Sequence, residues 1–119
     1  MNVKLLTENG VDVEKGVELL GDINTYNDML NDFLTEAADK INNLNNYKEQ
    51  KDMDNYSILV HSLKSDSKYF GFTKLADISY QHEVESKNKN IDYITNKYEE
   101  LNAEVNRILK LVREYLEQN

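Results

Sequence analysis

The residues best suited to chemistry lie in one stretch, Asn55 to Gly71, which reads NYSILVHSLKSDSKYFG. Wound as a helix at about 100° per residue, it gathers Tyr56, Leu59, Leu63, Ser67 and Phe70 on one side, with Val60 at the border. His61 points roughly the opposite way. Ser57, Lys64, Ser65 and Lys68 fall on its face, at i−4, i+3, i+4 and i+7. The pattern predicts a solvent-facing imidazole among two ammonium groups and two small hydroxyl residues. A neutral imidazole is a nucleophile near neutral pH. Lysines a turn away can neutralise the oxygens of a phosphoryl group placed on it. Small side chains at 57 and 65 leave room for another protein's active site to close over the ring. This local positive charge stands out in a chain of net charge −8. Judged on spacing alone, however, a surface histidine beside lysines is more often just a solvated helix face.

Other candidates carry less. His82 shares a predicted helix face with Leu75, Ile78 and Ser79, which suits a core or border histidine bonded to a tyrosine or to backbone. A zinc pair of His61 and His82 would lack the third and fourth ligands such sites need, so no metal site is predicted. Eight tyrosines could form a stacking platform, but Tyr26, Tyr56 and Tyr98 recur at helical spacing and read as core-edge residues with a wet hydroxyl. Carboxylate runs such as Glu99-Glu100 read as solvated faces. Nothing resembles a hydrolytic carboxylate pair, a phosphate-binding glycine loop or a nucleophile–base triad.

The elements that position these residues follow from apolar periodicity and caps. Val13 to Leu20 reads as a short helix closed by Gly21. Asp22 can cap a long helix from about Ile23 to Lys48, with Tyr26, Met29, Leu30, Phe33, Leu34, Ala37, Ile41 and Leu44 as its stripe. Asp52 or Asp54 can cap the His61 helix, which Gly71 ends. Thr73 is expected to cap the next, to about Lys87, and the last runs from Ile91 to near Gln118. Its stripe is Ile94, Tyr98, Leu101, Val105, Ile108, Leu109, Val112 and Leu116. Short connections make sequential helices antiparallel neighbours. The expected fold is all-α: a single domain over residues 1–119, an antiparallel up-down four-helix bundle with a short extra N-terminal helix.

Composition agrees. A chain of 119 residues with no proline, 4 glycines and 30% charged residues suits one helical domain. The absence of cysteine excludes disulfides and thiolate metal sites and fits a cytoplasmic protein. The surplus of negative charge disfavours nucleic acid and anionic lipid as partners. No apolar run is long enough to span a membrane, and the opening MNVKLLTENG has no apolar segment of the signal-peptide kind.

His61-Ser62-Leu63-Lys64-Ser65, followed by Gly71, resembles the histidine phosphotransfer (HPt) motif, His-x-Leu-Lys-Gly with a second glycine six residues after the first. The similarity extends over Val11 to Gly21, Tyr26 to Ala37 and Leu75 to Glu85, and Gly71-Phe72-Thr73 is similar to the turn of the family's chemotaxis-kinase branch. The resemblance implies that His61 is phosphorylated and that Lys64 hydrogen-bonds the phosphoryl group; Lys68, one turn further on, is expected from its position to be a lesser electrostatic aid. It implies receiver domains of response regulators, or a hybrid histidine kinase, as partners; Ser57 and Ser65, which flank His61 one turn either side, are expected near the centre of the docking face. It implies no cofactor of the chain's own, the divalent ion being the receiver's. Ser65 departs from the motif's first glycine, which puts the tightness of docking in question. In the chemotaxis-kinase branch a glutamate matching Glu83 bonds the acceptor imidazole. Glu83 and His61 also stand nearly equidistant in sequence from the reversal at residues 71 and 72, so adjacent antiparallel helices would bring them to one height. The rival expectations are a phosphotransfer-derived adaptor that binds without chemistry, and a C-terminal piece of a hybrid sensor kinase.

Overall fold

The computed structural model describes residues 2–118. They are all-helical: α1 (Val3–Glu8), α2 (Val13–Leu20), α3 (Ile23–Glu49), α4 (Met53–Phe70), α5 (Thr73–Lys87) and α6 (Ile91–Glu117). The helices start where short polar side chains can satisfy free backbone N–H groups. Asp12 accepts from the Lys15 amide, Asp22 from Thr25, Asp52 from Asn55 and Asn90 from Tyr93. Of the two residues expected to compete for the start of α4, Asp52 is the cap.

Two expectations about the helices need correction. Among the described residues there are six helices where five were read, because α1, at six residues, is too short to show a period. It is fixed instead by the Asn2 cap, by the fully buried Leu6, and by Arg107 Nη1 donating to the Asn9 carbonyl at 3.0 Å. Thr73 does not cap α5: Phe72 occupies that position without a side-chain cap bond, and Thr73 is already helical. The Gly71 turn sends Phe72 into the core, where it makes a single antiparallel bridge with Val11.

That turn joins α4 to α5. Gly71 adopts a left-handed φ of 80°, the conformation glycine tolerates best at a helix end. The Phe72 amide returns to the Ser67 carbonyl at 2.8 Å, and the Gly71 carbonyl accepts from Asp12 at 2.8 Å, which fastens α2 across the turn. The α4–α5 contact is the most extensive in the molecule. α3 packs on α4 and α6, and α5 packs on α4 and α6, so the four longer helices close a ring. The core inside it includes Tyr26, Leu30, Leu44, Tyr56, Val60, Leu75, Ile94, Leu101, Ile108, Val112 and Tyr115. Burying each large apolar side chain contributes about 1.5–3 kcal/mol against chain entropy.

Two of the three tyrosines expected to have wet hydroxyls, Tyr26 and Tyr56, end on internal partners instead. Tyr26, Tyr56 and Tyr98 are all buried. Tyr26 donates to the Phe70 carbonyl at 2.7 Å, and Tyr56 shares a 2.8 Å hydrogen bond with His82 Nδ1. A second unforeseen feature is Glu104, a buried carboxylate held by Arg107 through two bonds of 2.7 and 2.8 Å.

Candidate functional site

α4 packs against α2, α3 and α5, so its buried arc is wider than the apolar stripe and turned by about one residue. Val60, expected at the border, is fully buried, whereas Leu59 is half-buried. Ser57, expected on an open face, is buried and donates to the Asp54 carbonyl. His61 stays outside this arc: its side chain is 55% exposed.

Across the α4–α5 seam stands Glu83, whose side chain is only 5% exposed. His61 Nδ1 lies 2.7 Å from Glu83 Oε2. Lys87 Nζ, one turn along α5, lies 3.0 Å from the same oxygen. Lys64 Nζ lies 2.6 Å from Glu83 Oε1, at ion-pair distance though not aligned as a hydrogen bond. Lys64 is itself largely enclosed, 14% exposed, with its ammonium above the Tyr80 ring at 5.4 Å. Burial alone would disfavour the charge on Glu83. The close contacts from Lys64, Lys87 and His61, with the Lys64 charge, outweigh it and hold the carboxyl down to about 2.

The ionised carboxylate can only accept, so Nδ1 of His61 carries the proton of the neutral ring. Nε2 then holds the lone pair, and it bonds to no described residue. His61, Glu83 and Lys87 line a shallow cleft of about 250 Å³ with Ser57 and Ile58. Ile58 is 68% exposed, the most open large apolar side chain described.

His61, Lys64 and Glu83 are therefore brought together. Ser57 touches the cleft but is buried, and Ser65 is half-buried one turn further along α4. Lys68 is not part of the cluster. It lies two turns from His61, in a groove lined by Asp12, Lys15, Leu19, Gly71 and Ala76, where α2 crosses α4. Lys87 was not foreseen. Its only signal in the sequence is Glu-to-Lys spacing of i, i+4 on α5, a pattern too common on helices to single it out.

His82 turns into the core. Its ring stacks on Tyr56 and meets the edge of Tyr93. Burial pushes it down to about 4, against the opposing pull of Glu100 and the Lys97 backbone. Its Nε2 has no hydrogen-bond partner among the described residues. Among those residues, no group of three or more His, Cys, Asp or Glu side chains is gathered as metal ligands, and no helix is long and apolar enough to cross a membrane.

The described residues thus form a helical fold that presents one histidine, oriented by a buried carboxylate and with one ring nitrogen free. The family model of the Hpt domain matches residues 28–114, a span that contains α4 and α5 entire. The chain belongs to the Hpt domain family, the histidine phosphotransfer domains of phosphorelays. Neither a curated protein nor a solved structure matches it.

Proposed function

We propose that this chain is a phosphoryl carrier in a multistep two-component phosphorelay, receiving the group on His61 from a receiver-domain aspartate and passing it to another receiver. The observation that carries the reading is the 2.7 Å contact between His61 Nδ1 and the buried Glu83 carboxylate. A charged carboxylate is costly to bury unless it is well paired, and strongly shifted groups beside an exposed nucleophile mark functional sites. A partner-binding adaptor without chemistry would gain nothing from this arrangement.

In this reading the Nε2 lone pair attacks phosphorus in line. The P–O bond to the receiver's aspartate breaks, and its electron pair leaves on the aspartate carboxylate. The ring then carries phosphorus on Nε2 and the proton on Nδ1, a cationic form whose charge Glu83 offsets. That form is also the better leaving group for onward transfer, so one contact serves both directions. The chain's part is positioning and charge, on an antiparallel up-down four-helix bundle that holds α4 rigid. The receiver brings its own divalent ion and acidic pocket. It docks over the His61 face, with Ile58 as an apolar contact and Ser57 and Ser65 small enough to allow approach. A cytoplasmic setting follows from such partners.

Incubation with a phosphorylated receiver domain tests the reading. Label should move to the wild-type chain and resist base but not acid. His61→Gln should accept none while keeping its helicity, and His82→Gln should still accept. Transfer to His61→Gln, or none to wild type from any receiver of its own cell, sinks the proposal.

A further inference from the structure

We propose that Lys87, and not Lys64, is the cation that contacts the phosphoryl group on His61, while Lys64 is a positioning residue that fixes Glu83. The inference rests on His61 as the acceptor but divides the labour around it. Lys64 is enclosed, spans the seam to Glu83 Oε1 and lies over the Tyr80 ring. To reach a phosphoryl group it would have to abandon the carboxylate that holds the imidazole. Lys87 is 63% exposed, lines the same cleft as His61, and contacts the very oxygen that His61 uses. Its flexible stem can swing the ammonium outward, leaving Oε2 to Nδ1 alone.

Charge within the cleft supports this division. One carboxylate faces two ammonium groups, so Lys64 balances Glu83 and the Lys87 charge is in surplus. A phosphoryl dianion on Nε2 supplies the missing countercharge within reach of Lys87. Lys68, in its separate groove, cannot take this part.

The experiment uses the whole chain and phosphoramidate as the probe, so no receiver is needed. Nε2 attacks the phosphorus of phosphoramidate, the P–N bond breaks, and its electron pair departs with the already protonated nitrogen as ammonia. Phosphorus-31 NMR then follows the phosphoryl resonance on His61 through a pH titration, together with its rate of loss. Lys87→Met should shorten the lifetime about three- to tenfold and Lys87→Arg by no more than about twofold, the range for a partly exposed charge-assisted bond. Lys87→Met should also move the phosphoryl group's own titration to higher pH, which a merely structural lysine would not do. Lys64→Met should leave that titration in place and alter instead which ring nitrogen carries the proton before phosphorylation. A Lys87→Met chain with wild-type lifetime and titration overturns the assignment, as does a Lys64→Met chain in which the titration moves. Failure of phosphoramidate to modify wild-type His61 overturns it too, since the cleft would then be closed. A chain that behaves as expected here yet takes nothing from any phospho-receiver refutes the relay reading and leaves this one intact.

Discussion

At the scale of single residues, the carboxylate of Glu83 decides the state of the site. It faces three donors at once, and its depressed pKa follows from them in spite of burial. Glu83→Gln keeps size and an acceptor oxygen but loses the charge that offsets the cationic phospho-imidazole. A charge-assisted hydrogen bond contributes about 1.5–3 kcal/mol, so transfer onto His61 should slow by about 10- to 100-fold if that contribution is made in the transition state. Nitrogen-15 NMR of the ring should show the wild-type proton on Nδ1 and, in the variant, a mixture of both tautomers. A variant with wild-type transfer rate and a single Nδ1–H tautomer would remove Glu83 from the mechanism. The His61–Glu83 pair was legible from sequence because both residues stand at similar distances from the Gly71 reversal. Lys87 was not, since the same geometry places many lysines near a seam and only side-chain directions select one. Nor was the burial of Ser57, which depends on how far three neighbours wrap α4.

At the scale of elements, caps and breakers were the most readable signals. Gly21, Asp22, Asp52 and Gly71 each end or start a helix where local backbone chemistry requires it. Stripes gave the buried side of each helix only to within a residue: Met29, read as core, is 38% exposed, while Leu111 and Tyr115 of α6 are buried. Apolar spacing measures the direction of one face, whereas burial depends on how many helices surround it. Gly71 shows how a local signal can have a tertiary cause. Its left-handed φ already disfavours a side chain, and a Cβ there would collide with the Asp12 backbone, which passes directly over the turn. Gly71→Ala should therefore cost at least the left-handed penalty of about 1–2 kcal/mol, and more if α2 must lift away. Urea unfolding would measure it. A change below that range would mean the turn has room that the Asp12 contact denies it.

For the molecule as a whole, pH should act on stability in two successive windows, both lowering it toward acid. His82 is pushed down to about 4 from 6.5 because its ring is buried. Between those values the unfolded chain binds a proton that the folded chain refuses, so stability is complete above about pH 6.5 and falls as pH drops toward 4. A single such group gives a slope approaching about 1.4 kcal/mol per pH unit and a total loss of about 3 kcal/mol. Glu83 acts lower: with its folded value near 2 against 4.5, its contribution is complete above about 4.5 and is lost as pH falls to 2. The background runs the other way, because protonating surface carboxylates relieves self-repulsion in a chain of net charge −8. The quantity to compare is therefore the difference between wild type and His82→Gln, whose amide does not titrate and shares the surface background. Urea unfolding at half-unit steps from pH 7.5 to 4.5 should show wild type losing stability relative to His82→Gln as pH falls below about 6.5. The Gln variant starts lower at neutral pH, since the ring packing with Tyr56 and Tyr93 is lost, and the two curves converge in acid. Parallel curves across that range would mean that protonated His82 finds a partner inside the fold, which its unpaired Nε2 argues against.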